Sequence, residues 1–482
     1  MTYLSAEFYC ILVIALIMYY ILPKKVGCYV LLAFNFIFYY FIANGDLKCL
    51  AMLLLTALIG YIGALLISKF HDDLKKKSTL ALFIFIVLMP LVLIKNLNPF
   101  LAFVDKGSIS LIVPVGVSFY TLQLISYMVD VYRCKYEAQR NFAKFFLYIS
   151  FFPIIIQGPI SRYDQLANQL YEGHDFDEKK ITEGFMLILW GFFLKLVIAD
   201  KAAIVVNNVF DSFPVWQGSY VLVAGLLYPI QLYADFQGCT LIAQGVACMF
   251  GIKLINNFNH PYFSKSMREF WERWHISLST WLRDYVYIPL GGSRKGKVRK
   301  WINLFITFLI SAAWHGSGLK YVVWGLMTSF IQLVEAGLDP VWEKLGKKYD
   351  FSSYCKLLNF VRCVITYFLF ILTVIIFRAD TLETGCGMLR SLFTVNNAWI
   401  WFNDGLLILG LNLKEYFVLL IAIGILLFVS FKQEKGFSFR KFIFEQNIVV
   451  RWSLYIGTVI VIMVFGTYGF GFDAQAFIYG GF

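Results

Sequence analysis

Apolar residues in this chain run together in long stretches, and the polar residues collect in the gaps between them. A helix needs about 20 predominantly apolar residues to cross a bilayer. Twelve segments approach that length: roughly 5–22, 26–44, 49–68, 79–95, 109–129, 182–199, 217–234, 301–317, 321–338, 361–377, 413–431 and 451–470. Two shorter runs, 142–157 and 238–251, are broken by Pro153 and Gly238 and are expected as re-entrant or half-helices. The pattern predicts an all-α polytopic membrane protein. No internal repeat, low-complexity tract or Gly/Ser linker divides it, so residues 1–482 read as a single membrane domain.

Charge fits the same picture. Lys24 and Lys25, then Lys69 with Lys75–Lys77, then Arg133, Lys135 and Arg140 fall on one side if every span crosses once. The positive-inside rule makes that side cytoplasmic. Residues 265–300, 344–356 and 432–441 continue the alternation, and twelve crossings leave both termini extracytoplasmic. No Lys or Arg precedes the first apolar run, so no cleavable signal is expected. Only 15% of residues are charged, against roughly 25% in soluble domains, so lipid must solvate much of the surface. The net charge of +12 does not point to nucleic acid, because the basic residues lie between apolar runs and not along one face. Nine cysteines are scattered among apolar residues without a metal-ligand spacing, as small buried hydrophobes are. No phosphate-binding loop, dinucleotide fingerprint or nucleophile elbow is present, and no metal site is expected.

Of five histidines, His71 and His174 lie in charged loops, and His260 stands in the turn-like Asn259-His260-Pro261-Tyr262. His315 is different. It ends the apolar run that starts after Lys300, and at 1.5 Å per residue that run climbs roughly 22 Å. In a hydrocarbon core about 30 Å thick, His315 lies past the midplane, where an ionisable residue is costly and marks a functional candidate. Burial there favours neutral imidazole, the form a general base needs. On position alone, a histidine hydrogen-bonded between helices is an equal alternative. His275 lies in a stretch which, read as one helix, puts Phe270, Trp274, Leu278, Trp281 and Tyr285 on one face, with His275 and Ser279 beside them. Pattern alone favours an interfacial anchor there over an active-site helix. Nine basic residues from Lys265 to Lys300, Arg268 and Arg273 among them, face only three acidic ones. They read either as lipid-headgroup contacts or as a dock for an anionic donor.

The stretch Tyr262–Arg294, with Phe-Trp-Glu-Arg-Trp-His-Ile-Ser at 270–277, closely resembles the signature of membrane-bound O-acyltransferases. The resemblance is to the bacterial branch with alginate O-acetyltransferases and teichoic-acid D-alanyl transfer proteins. Trp314-His315-Gly316 resembles that family's second histidine motif. Further matches are Pro114–Tyr120, Gln157–Arg162, Tyr233-Ala234-Asp235-Phe236 and Phe377-Arg378-Ala379. Where the family often reads Asp-Phe-Ser-Gly-Tyr-Ser-Asp, this chain has Asp235-Phe236-Gln237-Gly238-Cys239-Thr240-Leu241, which places Leu241 where a carboxylate is usual.

The resemblance implies helices ringed around a tunnel. Residues 1–108 would be peripheral helices, 109–378 the catalytic core, and 379–482 C-terminal helices with a tail. A thioester donor, acetyl-CoA or an acyl carrier protein, would enter from the cytoplasm and a hydroxyl acceptor from outside. His315 would match the catalytic histidine and His275 the other motif histidine, a catalytic candidate beside it. Trp274, Ser279, Trp314, Asp235, Arg268 and Arg273 would be tunnel or donor-binding candidates. Ala476–Phe482 resembles a C-terminal Phe-Ile-Tyr-x-x-Phe motif, with Tyr479 as an acyl relay. The implied setting is a bacterial cytoplasmic membrane, with polysaccharide as acceptor and an SGNH-type acyltransferase partner outside. D-alanyl transfer to teichoic acid is the alternative acyl chemistry. Composition alone equally permits a transporter of polysaccharide or lipid-linked sugar. Transporters show symmetric interrupted helices, for which this chain has no matching repeat.

Overall fold

The computed structural model describes residues 2–104, 107–348 and 355–468, and no β-strand occurs among them. The chain begins with α1 (Ala6–Ile21), α2 (Lys24–Ile42), α3 (Leu47–Lys69) and α4 (Asp73–Phe103). It continues with α5 (Val117–Tyr132), the short α6 (Phe142–Ser150) and α7 (Tyr163–Glu172), then α8 (Glu178–Phe192). A π-helix at Phe193–Ala199 joins α8 to α9 (Asp200–Asp211), and α10 (Ser219–Met249) follows. The seven-residue helices α11 (Met267–Arg273) and α12 (Ile276–Leu282) precede α13 (Lys297–His315), α14 (Leu319–Lys348), α15 (Cys355–Arg378) and α16 (Leu382–Thr394). After them come α17 (Leu413–Glu434), α18 (Phe439–Phe444) and α19 (Ile448–Phe465).

Eight helices among the described residues are long and apolar enough to cross a membrane. They coincide with eight of the twelve expected segments. The other four, 5–22, 109–129, 217–234 and 301–317, fall on α1, α5, α10 and α13. Apolar side chains face outward as well as inward. In α19, Val449, Trp452, Ile456, Ile460, Met463 and Val464 are exposed, while Tyr455 and Ile462 are buried. Exposed apolar surface on this scale is stable only against lipid. The protein is a multi-pass membrane protein.

Three boundaries differ from expectation, each for a physical reason. The helix expected from 109 starts only at Val117, because Pro114 precedes it and Gly116 takes the left-handed conformation at φ 74°. The helical path expected to end at 199 continues to Asp211, because Asp200 and Lys201 are buried and not solvated. The runs 217–234 and 238–251 are one helix, α10. Gly238 does not end it, and Gly245 serves close approach: a Cβ there would lie 2.5 Å from the carbonyl oxygen of Gly184 on α8.

Contacts group the described residues into two compact units. One draws on Met1–Phe192 and Cys239–Asn256, the other on Phe193–Gly238 and Asn257–Gln475. In the first, α3 carries a buried stripe of Thr56, Ala57, Gly60, Gly63 and Ala64. Small residues let membrane helices pack closely. A Cβ on Gly63 would strike Phe83 of α4 at 2.6 Å, and one on Gly60 would strike Leu124 of α5 at 2.8 Å. Asp46 caps α3 by accepting from the Lys48 amide, and Lys69 complements the dipole in its last turn. The second unit is built on aromatic rings from α10 to α15, and both motif histidines lie in it.

Candidate active site

The segment around His275 is not one helix. α11 is capped by Ser266, which accepts from the Glu269 amide, and by Glu335, both of whose carboxylate oxygens lie 2.9 Å from the Met267 amide. It stops at Arg273. His275 then takes a left-handed conformation, φ 46° and ψ 52°, and α12 begins at Ile276. A non-glycine residue held there costs on the order of 1–3 kcal/mol. Chain 257–260 supplies the compensation. The Asn259 amide donates to the Arg273 carbonyl at 2.9 Å, and the Ile276 amide donates to the Asn257 carbonyl at 2.8 Å. The Asn257 side-chain oxygen accepts from the Ser277 hydroxyl at 2.8 Å and the Ser277 amide at 3.2 Å.

That same oxygen lies 3.3 Å from Nδ1 of His275. An amide N–H only donates, so the Asn257 atom facing Ser277 is its oxygen, and the Nδ1 facing that oxygen carries the proton. The lone pair of the neutral ring is then on Nε2. His275 is 2% exposed, and desolvation pulls its pKa down to about 3, so the ring is neutral at physiological pH. The Phe236 ring stands edge-on to it, with centroids 4.6 Å apart at 89°. The Ser279 hydroxyl ties the broken turn by donating to the Trp274 carbonyl at 3.1 Å.

The aromatic stripe read as an interfacial anchor is interior. Phe270, Trp274, Leu278 and Trp281 are all buried, and Tyr285 is half-buried. Trp274 packs on Phe258 at 4.9 Å, Phe370 at 5.2 Å and Phe270 at 5.3 Å. Protein, not lipid, receives those rings.

His315 is the last residue of α13 and 5% exposed. Three rings meet its imidazole steeply: Trp314 at 4.9 Å and 74°, Phe377 at 5.2 Å and 84°, and Trp324 at 5.4 Å and 83°. Ala312, Tyr321, Trp324 and Phe377 form one buried cluster, with Trp271 packed against it. Trp314 also lies 6.1 Å from the His275 ring, so a single indole packs near both imidazoles. Motifs far apart in the chain, 233–236, 274–277, 314–315 and 377, therefore converge in this unit.

The remaining candidates divide. Asp235 is buried and forms an ion pair with Lys195 at 2.6 Å, while Lys195 also pairs with Asp200 at 2.8 Å. Arg273 is held between Glu269 and Glu434, each at 2.7 Å. Arg268 is half-exposed, 3.9 Å from Asp339, and is not brought to the histidines. Tyr479 lies outside the described residues. Sequence reasoning missed Asn257 and Lys195. Lys195 had a readable signal, a cation inside the apolar run 182–199. Asn257 had none, since only the folded turn brings it to a histidine 18 positions later.

The model of the membrane-bound O-acyltransferase family matches residues 34–377. The chain belongs to this family. The family match covers all four convergent motifs, and residues 378–482, with α16 to α19, lie past it. Among curated relatives, a probable alginate O-acetylase AlgI of Pseudomonas fluorescens is 39% identical over 284 residues, 59% of this chain and 54% of that protein. A peptidoglycan O-acetyltransferase of Helicobacter pylori is 30% identical over 60% of this chain and 58% of that protein. A teichoic acid D-alanyltransferase of Bacillus subtilis is 29% identical over 52% of this chain and 65% of that protein. The chain spans about half the length of the curated relatives it matches first.

Proposed function

We propose that this membrane-bound O-acyltransferase family member transfers an acyl group, acetyl in the first instance, from a cytoplasmic thioester to an extracytoplasmic hydroxyl for O-acetylation of an exported or cell-surface polysaccharide. The observation that carries the reading is His315, a buried imidazole at the end of α13, sharing Trp314 with His275.

In this reading His315 is the catalytic residue. Its neutral ring takes the proton from the acceptor hydroxyl as the oxygen attacks the thioester carbonyl. The C–O bond forms, the tetrahedral intermediate collapses with cleavage of the C–S bond, and the thiolate leaves with the proton held by His315. His275 stays neutral and orients the neighbouring rings. Trp274, Trp314 and Ser279 build the wall. The donor is acetyl-CoA or an acyl carrier protein. The first acceptor is Tyr479, which passes the group to an SGNH-type partner outside. Support for the tail's role comes from the resemblance of Phe477-Ile478-Tyr479-Gly480-Gly481-Phe482 to the C-terminal Phe-Ile-Tyr-x-x-Phe motif.

Intact and peptide mass spectrometry on protein taken from membranes tests this. An adduct of about +42 Da on Tyr479 means acetyl transfer and one of about +71 Da means D-alanyl transfer, as expected for a covalent relay. Tyr479→Phe is expected to abolish polymer acylation at unchanged protein level. Normal acylation by that variant sinks the relay.

A further inference from the structure

The Lys195 cluster is the most heavily charged buried feature among the described residues of this unit, and the transfer steps above do not use it. Lys195 is 1% exposed, in the middle of the π-helix Phe193–Ala199. Its ammonium reaches Asp200 at 2.8 Å and Asp235 at 2.6 Å, and both carboxylates are buried. A buried ammonium is sustained only by such partners. A π-turn is a costly interruption that persists mostly where a site needs it. Here it separates Lys195 from Asp200 by five positions and still brings both to one point.

The two carboxylates are not equivalent. Asp200 lies next along the same helical path as Lys195. Asp235 lies on α10, one residue before Phe236, whose ring meets His275 at 4.6 Å. The same turn of α10 presents Tyr233 to Phe258, at 5.3 Å, and Phe236 to Phe258, at 5.1 Å. Phe258 sits in the segment whose Asn257 fixes the His275 tautomer.

We infer that Lys195 is a positioning residue: through its ion pair with Asp235 it locks α10 so that Phe236 seats the His275 imidazole. The inference rests on the proposed reading of the histidine site and adds to it a residue that no motif marks. Asp200 balances charge and does not transmit position.

Paired substitutions test this. Asp200→Asn and Asp235→Asn each leave one carboxylate for one ammonium at comparable burial, so a purely structural cluster responds to both alike. The inference predicts that they differ. Asp235→Asn lowers kcat for transfer of label from radiolabelled acetyl-CoA by about 10–100-fold, the range seen when an outer-shell partner is lost, with KM little changed. Asp200→Asn stays close to the unmodified protein. Lys195→Arg, which keeps the charge, is expected to retain more activity than Lys195→Met. A second readout does not depend on turnover. Diethylpyrocarbonate labelling of His275, mapped by mass spectrometry on full-length protein in nanodiscs, rises severalfold in Asp235→Asn and Lys195→Met but not in Asp200→Asn. Equal labelling and equal activity in the two Asn variants overturn the inference. If the unmodified protein transfers no acetyl group, the proposed function fails, and the labelling comparison still decides the role of Lys195.

Discussion

His275 and His315 are both buried, both follow a tryptophan and both lie near Trp314, yet they are held by opposite means. His275 stands in a left-handed turn, clamped by a hydrogen-bond network that converges on one amide oxygen, that of Asn257. His315 ends a regular helix and is walled by the rings of Trp314, Trp324 and Phe377. A polar clamp sets the tautomer and direction of a ring. An aromatic wall sets its place and excludes water while leaving its protonation free to change. The first suits a residue that orients, the second a residue that must gain and lose a proton in each turnover.

The sharpest way to break this contrast is to remove one imidazole at a time. His315→Ala is expected to lower acyl transfer by about 10²–10⁴-fold, the usual contribution of a general base. That is about 3–5 kcal/mol of barrier. Labelled-acetate incorporation into polymer in cells, at matched protein level, measures it. Substantial acylation by the variant would remove His315 from the chemistry and leave its aromatic wall as packing alone.

The clamp should fail through stability as well as through rate. Asn257→Ala strips the acceptor from His275 and Ser277 and leaves buried donors unsatisfied, at an expected cost of about 2–4 kcal/mol. Phe377→Leu beside His315 keeps the wall apolar and is expected to cost less than about 1.5 kcal/mol. Thermal unfolding in one detergent ranks the two. A larger loss from Phe377→Leu would mean that the polar clamp is not what holds this region.

These two settings were not equally legible in the sequence. Hydropathy is set by the solvent around each residue, so the apolar segments could be read directly, and eight of the twelve fall on helices long and apolar enough to cross a membrane. His275 was misread because Phe270, Trp274, Leu278 and Trp281 repeat at helical spacing. A continuous helix explains that spacing as well as a broken one does. The break depends on Asn257, a contact made only once two distant segments pair. Burial of the stripe was hidden for a related reason. Aromatic residues flanked by arginines suit a lipid interface, and nothing local reveals that Phe258 and Phe370 will cover Trp274. Lys195 was in plain view, but its meaning required its partners, one of which lies 40 positions away.

The smallest effect separates the histidines by pH. Desolvation lowers the His275 pKa to about 3 in the folded protein, whereas an unperturbed histidine titrates near 6.5. Between those values the unfolded chain binds the proton and the folded chain does not. This contribution to stability is therefore complete above about pH 6.5 and is lost progressively as pH falls toward 3. Its slope approaches about 1.4 kcal/mol per pH unit. Burial also lowers the pKa values of His174 and His260, so acid destabilises through them in the same direction. Comparison with His275→Gln isolates the one residue. The variant is expected to lose melting temperature less steeply from pH 6.5 to 4.5 than the unmodified protein does. Parallel slopes would mean that His275 is reached by water and protonated in place, which its clamp and its Phe236 seat should prevent.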